Sequence, residues 1–187
     1  MPYQGLLMKK ISTLLIACLA SLGAQAESPL NYDLNGQYVY TQVKSAGETF
    51  SPRLFQVKAG VSLKESLLAG IGIQGQYATP IDDSTKGNLT LDIKSQSGVF
   101  ITLADPNSDP ESLKFMLLLG YGSTKLETLD QFDGKTSDTF SGFAYGFSFQ
   151  QRIFPKTPLS FSLDCTRHYR DSHLRIDGCG VGASYAF

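Results

Sequence analysis

The stretch from Arg167 to Asp177, RHYRDSHLRID, is the chemically densest part of the sequence. It holds both histidines, His168 and His173, with Asp171, Ser172, Asp177 and three arginines, Arg167, Arg170 and Arg175. A hydroxyl, an imidazole and a carboxylate within a few residues could activate a nucleophile, as in a hydrolase. That chemistry needs nucleophile and base on one face. Ser172 directly precedes His173, so in an extended chain the two point apart. The plainer reading is a charged loop whose arginines meet phosphate, which a guanidinium suits. Elsewhere there is no glycine-rich phosphate loop, no zinc-ligand spacing and no paired-carboxylate signature. The sequence implies no cofactor and no metal.

The elements that must position these residues alternate with period two. In TFSGFAYGFSFQQRI, Phe143, Tyr145, Phe147 and Phe149 fall on one face, and Gly142, Ala144, Gly146, Ser148 and Gln150 on the other. RLFQVKAGVSL, LLAGIGIQGQYA and PLSFSLDCT repeat the pattern. Eight such segments are expected, near Gln37–Val43, Arg53–Leu63, Leu67–Ala78, Asn88–Leu103, Leu113–Lys125, Thr139–Ile153, Leu159–His168 and Arg175–Phe187. No segment has sustained helical periodicity, the apolar run near the N-terminus is too short to span a bilayer as a helix, and no second apolar segment of helix length appears.

Length bounds this to one domain: the chain has 187 residues and a formal net charge of −1, which gives no electrostatic footprint for a nucleic-acid partner. It contains 12 Phe, 9 Tyr and 18 Gly, and no Trp. The N-terminus reads as a secretory signal over residues 1–26: Lys9 and Lys10, an apolar run from Ile11 to Leu22, then Ala24-Gln25-Ala26 as a cleavage site. Met8 is an alternative start. Leu15-Ile16-Ala17-Cys18 resembles a bacterial lipoprotein box, and in that rival reading Cys18 would be lipidated. On the favoured cut, residues 27–187 form the mature domain, with two cysteines, Cys165 and Cys179.

An exported sheet with one apolar, aromatic-rimmed face and one small, polar, charged face fits a closed barrel in a membrane. The apolar face meets lipid and the polar face lines the lumen, so every backbone group is paired between strands. Gln56, Lys58, Gln74, Gln76, Asp92, Lys94, Gln96, Lys114, Gln150, Arg152 and Asp164 are then expected to point inward. An eight-stranded barrel is just wide enough for side chains to fill. A plugged polar core is therefore expected, with a narrow channel as the alternative. KSAGETFSP, TPIDDSTKG, ETLDQFDGKTSD and YRDSH are expected as outward loops, and KES, FPKTP and the longer ADPNSDPES as turns on the side of the termini.

The chain ends GVGASYAF. This resembles the C-terminal signal of bacterial outer-membrane proteins that the barrel-assembly machinery reads, through Phe187, Tyr185 and Gly182; Gly180 departs from it, where a polar residue is usual. Over the whole mature chain, the architecture resembles the small eight-stranded outer-membrane barrels (the OmpA membrane domain, OmpX and the opacity-type proteins). The resemblance implies an all-β, antiparallel, up-and-down barrel in the bacterial outer membrane. It also implies a non-enzymatic structural or surface-interaction role carried by the outer loops. Lipid and lipopolysaccharide are the expected partners, with Arg167, Arg170 and Arg175 as candidate lipopolysaccharide contacts. The enzymatic alternative is a lipid-A-modifying barrel using His168, Ser172 or His173. Lipid-A deacylases carry a His-x-Ser pair, which this sequence lacks.

If the last hairpin is symmetric about Ser172, Leu163 faces Val181, Phe161 faces Ala183 and Cys165 faces Cys179, all on the lipid side. An oxidising compartment would join the cysteine pair. Two thiols packed as small apolar groups are the alternative.

Overall fold

The computed structural model describes residues 30–45, 47–63, 70–105, 113–130, 134–154 and 157–187. The expected signal segment and the turns KES and residues 106–112 lie outside the described residues. Within them are ten strands: β1 (Leu30–Ser45), β2 (Glu48–Phe50), β3 (Arg53–Leu63), β4 (Ile71–Asp82), β5 (Ser84–Lys86), β6 (Leu89–Ala104), β7 (Lys114–Asp130), β8 (Gly134–Arg152), β9 (Leu159–Arg170) and β10 (Leu174–Ala186). All pair antiparallel, in the order β10-β9-β8-β7-β6-β4-β3-β1, and β10 pairs back to β1, which closes the barrel. The short strands extend this eight-stranded wall. β2 continues β3 along β1, and β5 continues β4 along β6. Glycines in left-handed conformation, Gly47, Gly87 and Gly134, let the hairpins turn tightly at the end away from the termini. We call that end distal.

Closure ties down the C-terminus. Phe187 N donates to Tyr32 O at 2.9 Å, and the Tyr185 and Phe187 rings meet edge to face at 4.9 Å. Gly182 faces inward, where an added Cβ would collide with the Gly36 carbonyl and sit 2.8 Å from Gln37 Cα. At Gly180 it would sit 2.7 Å from Gln37 Oε1. These glycines leave the lumen room for the long side chains of β1.

In the half nearer the termini, the two faces match the sequence expectation. Phe55, Val57, Ile73, Tyr77, Val99, Ile101, Phe143, Phe147 and Leu163 are exposed on the outer surface. Inside, Gln37, Gln56, Lys58, Gln74, Gln76, Gln96 and Asp164 are buried. Lys58 Nζ and Asp164 Oδ2 pair at 2.7 Å. Gln37 Nε2 also donates to Asp164 and, at 3.0 Å, to Ser162 Oγ, which accepts from Asn35 Nδ2 at 2.8 Å. Buried charges are stable only when paired and hydrogen-bonded, and this network supplies both. Lys114, Gln150 and Arg152 are half-buried at the proximal mouth.

The distal half reverses the polarity. Val39, Val43, Phe50, Leu54, Ala78, Leu91, Ile93, Leu126, Leu174 and Ile176 form one buried cluster inside the wall, with Leu89, Phe140 and Tyr169 against it. The outward side carries charge instead. Lys94 Nζ lies 2.6 Å from Asp92 and 3.2 Å from Glu127, and Lys135 Nζ lies 2.7 Å from Glu127. The expectation that Asp92 and Lys94 face the lumen is therefore corrected. A register shift between Ile93 and Ser95 makes Lys94 an extra residue on β6. Below it Gln96 and Phe100 point in; above it Ile93 and Leu91 do. A β-bulge re-aims every residue beyond it. Here it turns two charges out of what would otherwise be an apolar core.

The loops are shorter than the sequence suggests, because they are mostly wall. ETLDQFDGKTSD continues β7 and β8, with Glu127 paired to Ser137 and Asp130 to Gly134. Only Asp171, Ser172 and His173 separate β9 from β10. The first strand also begins earlier than expected, at Leu30.

The last hairpin follows the expected register through its lower part. Phe161 faces Ala183, Leu163 faces Val181 and Cys165 faces Cys179 on the outer surface, the cysteine Cα atoms 4.1 Å apart and the sulfurs at bonding distance. Symmetry then ends: Asp177 pairs with Arg167 but Ile176 with Tyr169, leaving His168 as the extra residue of a bulge.

Two outcomes are expected. Lys58→Met strands Asp164 in the lumen and should cost about 3–5 kcal/mol in urea unfolding of the micelle-embedded barrel, much of it recovered by adding Asp164→Leu. A loss below 1 kcal/mol would contradict the pairing. Cys165 and Cys179 should resist maleimide in the unfolded, unreduced protein and react after reduction, and reduction should remove roughly 3 kcal/mol of stability. Labelling without reductant would show free thiols.

Candidate functional site

The residues singled out by their chemistry do converge on the distal end of β9 and β10, but on three different surfaces. His168 points inward. It is 2 % exposed, and its Nδ1 lies 3.4 Å from Gln76 Nε2. Strand alternation puts it there, on the face of Ser162, Asp164 and Thr166, and the absence of a side chain at Gly178, whose Cβ position is 3.5 Å from His168 Nε2, makes the space. It is thus separated from the rim residues Ser172 and His173.

Asp171 is committed to the turn. Its Oδ1 accepts from the backbone N–H of His173 at 2.7 Å and of Leu174 at 2.6 Å, and its Oδ2 accepts from Tyr169 Oη at 3.0 Å. The two backbone donors hold its carboxyl below the usual carboxylate range. A carboxylate held this way orders the turn and orients no imidazole. Of the expected Ser–His–acid alternative, His168 lies in the lumen, apart from Ser172 and His173, while Asp171 stands beside those two on the rim and is engaged by the backbone of its turn.

Arg170 and Arg175 line a hollow of about 360 Å³ on the rim, between the first and last hairpins. Lys44, Glu48, Asp171 and His173 line it too. It forms because β1 and β10 are neighbours across the closure, with Lys44 opposite Arg175. Lys44 and Glu48 escape a reading that treats KSAGETFSP as a remote loop; closure of the barrel is the signal that joins them to the last hairpin.

Arg167 lies on the outer surface. Its Nε donates to Asp177 Oδ1 at 2.7 Å, and one terminal nitrogen donates to Tyr145 Oη at 2.8 Å. The guanidinium also sits over the Tyr145 ring, 5.6 Å from its centroid. Arg175 donates to the other oxygen of Asp177. Two guanidiniums thus share one carboxylate, and one positive charge is left over. Below them a second hollow, of about 520 Å³, runs along Tyr40, Leu117, Phe147 and the cysteine pair. Further along the wall, the hydrogen bond from Lys135 holds Glu127 below its ordinary range, and Asp92 and Glu127 hold the Lys94 ammonium above its own. Among the described residues no group of three or more His, Cys, Asp or Glu could hold a metal ion.

Comparison with known proteins places this geometry. Ail of Yersinia pestis, solved in complex with the heparin analogue sucrose octasulfate, superposes with a TM-score of 0.62 at 18% identity, covering 86% of this chain and 100% of that one. The OprG outer-membrane protein of Pseudomonas aeruginosa gives 0.53 at 11% identity, over 87% of this chain and 98% of that one. The N-terminal β-barrel domain of P. aeruginosa OprF gives 0.53 at 9% identity, over 84% and 97%. At these identities the likeness is one of fold. Among curated proteins there is no sequence match. The family model for the outer membrane protein beta-barrel domain matches residues 11–187. With its closed wall, its apolar outer belt and this match over nearly its whole length, the chain belongs to the outer membrane β-barrel family and is a bacterial outer-membrane protein.

Proposed function

We propose that the chain is a non-enzymatic surface barrel whose distal rim, facing out of the cell, binds polyanionic saccharide. One observation carries this reading. The wall continues past its apolar belt as a β-barrel with its own hydrophobic core, and ends in a polar hollow lined by Lys44, Arg170, Arg175 and His173. A rigid stalk of this kind holds a binding face away from the lipid. Three cations there, Lys44, Arg170 and Arg175, face two acids, Glu48 and Asp171. Sulfate and phosphate groups suit such a cluster, above all the guanidinium of Arg170, since Arg175 also pairs with Asp177. The sucrose octasulfate bound to Ail shows one small barrel of this architecture holding a polyanion, which supports the reading by fold analogy.

Neither alternative from the sequence finds such support. Of the candidate catalytic groups of a lipid-A-modifying enzyme, His168 is buried in the lumen away from Ser172 and His173, and the neighbouring Asp171 is engaged by its turn. A channel would have to pass Phe50, Leu54, Ile93 and Ile176, all buried inside the distal wall.

The test is titration of the full-length, micelle-embedded protein with sucrose octasulfate. The expected result is binding that weakens as salt rises and that falls at least tenfold in Lys44→Gln/Arg170→Gln. No heat of binding at low salt, or equal binding by the variant, would contradict the reading. An epitope inserted next to Gly134 should be detected on intact cells. Detection only after permeabilisation would reverse the orientation.

A further inference from the structure

The cations of the rim hollow stand in a single cross-strand row. Lys44 pairs with Arg175 across the closure, and Arg175 pairs with Arg170 across the last hairpin. All three face outward, because Val43, Leu174 and Ile176, which alternate with them, and Tyr169 beside Arg170 pack inside the distal wall. Like charges placed directly opposite one another destabilise a sheet. A wall that keeps three in one row breaks a local rule of stability, as functional sites do. Asp177 below the row is shared by Arg175 and Arg167. Arg167 and Asp177 cancel, so Lys44, Arg170 and Arg175 face Glu48 and Asp171 with one positive charge in excess. Among the described residues lining the hollow, the remaining ionisable side chain is His173. It is exposed, and its backbone N–H is fixed by Asp171 Oδ1 at 2.7 Å, which holds the imidazole at the mouth of the hollow. Imidazole is the side chain that ordinarily changes charge between about pH 5 and 8.

We propose that His173 makes the rim hollow a pH-dependent polyanion site, weak above neutrality and tight in mild acid. The inference rests on the polyanion reading above and adds regulation to it. The charge balance gives His173 its leverage. Its protonation raises the excess from one positive charge to two, and it turns a ring nitrogen from acceptor to donor. The groups facing it come from every neighbouring element: Lys44 on β1, Glu48 on β2, Arg170 on β9, Asp171 in the turn and Arg175 on β10. A polyanion laid on the cation row brings negative charge to the imidazole and favours its protonated form. Binding and protonation therefore strengthen each other by the same factor. The direction follows: affinity rises as pH falls through the imidazole range. Asp171 does not oppose this change. The two backbone donors that hold its carboxyl below the usual range keep it ionised throughout the same window. The other histidine, His168, is buried in the lumen and does not line the hollow.

The experiment is calorimetric titration of the full-length, micelle-embedded protein with sucrose octasulfate at one ionic strength, at about pH 7.5 and about pH 5.5, on either side of the imidazole range. Sulfate esters are ionised at both, so the probe itself does not titrate. The dissociation constant should fall roughly three- to tenfold at the lower pH. His173→Gln should bring the ratio of the two constants to about one. His173→Lys, which fixes a positive charge at the same position, should also bring the ratio to about one, and should bind more tightly than the unsubstituted protein at the higher pH. Glu48→Gln, which removes the other titratable acid of the hollow, should keep the ratio. Each sample is first shown to be a folded barrel by its band shift on boiling. Should His173→Gln fail that check or bind too weakly to measure, His173→Lys decides: a ratio that persists in it overturns the proposal. Tightening that survives in His173→Gln, or disappears in Glu48→Gln, would also overturn it. A ratio of about one in the unsubstituted protein would overturn it without any variant and leave the polyanion reading standing. No binding at either pH would overturn that reading, and this inference with it.

Discussion

Hydrocarbon offers no partner to a backbone N–H or C=O, and the rest of this molecule follows from that. A sheet in lipid must close so that no edge is left open, and here β10 closes on β1 from Asp33–Ala186 to Ser45–Leu174. Closure fixes the two faces. The outer face must be apolar at the depth of the bilayer. The inner face is sealed from bulk water by the wall, and its polar groups must largely satisfy one another. The Lys58–Asp164 pair and the amide and hydroxyl groups around it are the local answer. The terminal Phe187 belongs to the same constraint, since its backbone completes the ladder against Tyr32.

Beyond the bilayer the solvent outside the wall becomes water, and the preference of each face reverses. The wall responds without changing its hydrogen-bonding plan. Leu91, Ile93, Leu126 and Ile176 turn inward, and Asp92, Lys94, Glu127 and Lys135 form a charged outer surface. On β6 and β9 the change is marked by single-residue bulges, at Lys94 and His168. The distal wall is thus an ordinary hydrophobic-core barrel set on top of a membrane barrel. The groove below Arg167 sits on paired strands, and the proposed rim hollow on strand ends and the tight turns that join them.

Much of this was legible in the sequence because a strand's period of two is rigid. Once one pair in the last hairpin is known, every other pair follows, so Cys165 and Cys179 fall opposite each other by counting. The count fails at His168 and Lys94, because a bulge inserts one residue without leaving a mark in the alternation. Leu89, Leu91 and Ile93 share their parity with Val99, Ile101 and Leu103, and the sequence alone does not say that the first set faces the core and the second faces lipid. Length was the available clue. β6, with 16 residues, and β7, with 17, exceed the roughly 9–11 needed to cross a bilayer, and the excess has to stand in water. The site was legible as a cluster of charge but not as surfaces. Arg167, Arg170 and His168 lie within four residues of one another, yet strand alternation and one bulge send them to the groove, the rim and the lumen.

The most direct measurement is residue-resolved hydrogen exchange of the micelle-embedded protein. A distal barrel with its own core predicts that the amides of Leu91, Ile93, Leu126 and Ile176 exchange as slowly as those of Gln56, Gln76 and Leu163 in the membrane wall. Exchange of the distal set at the rate of open loops, with the membrane set still protected, would contradict the inverted core on which the proposed rim site stands.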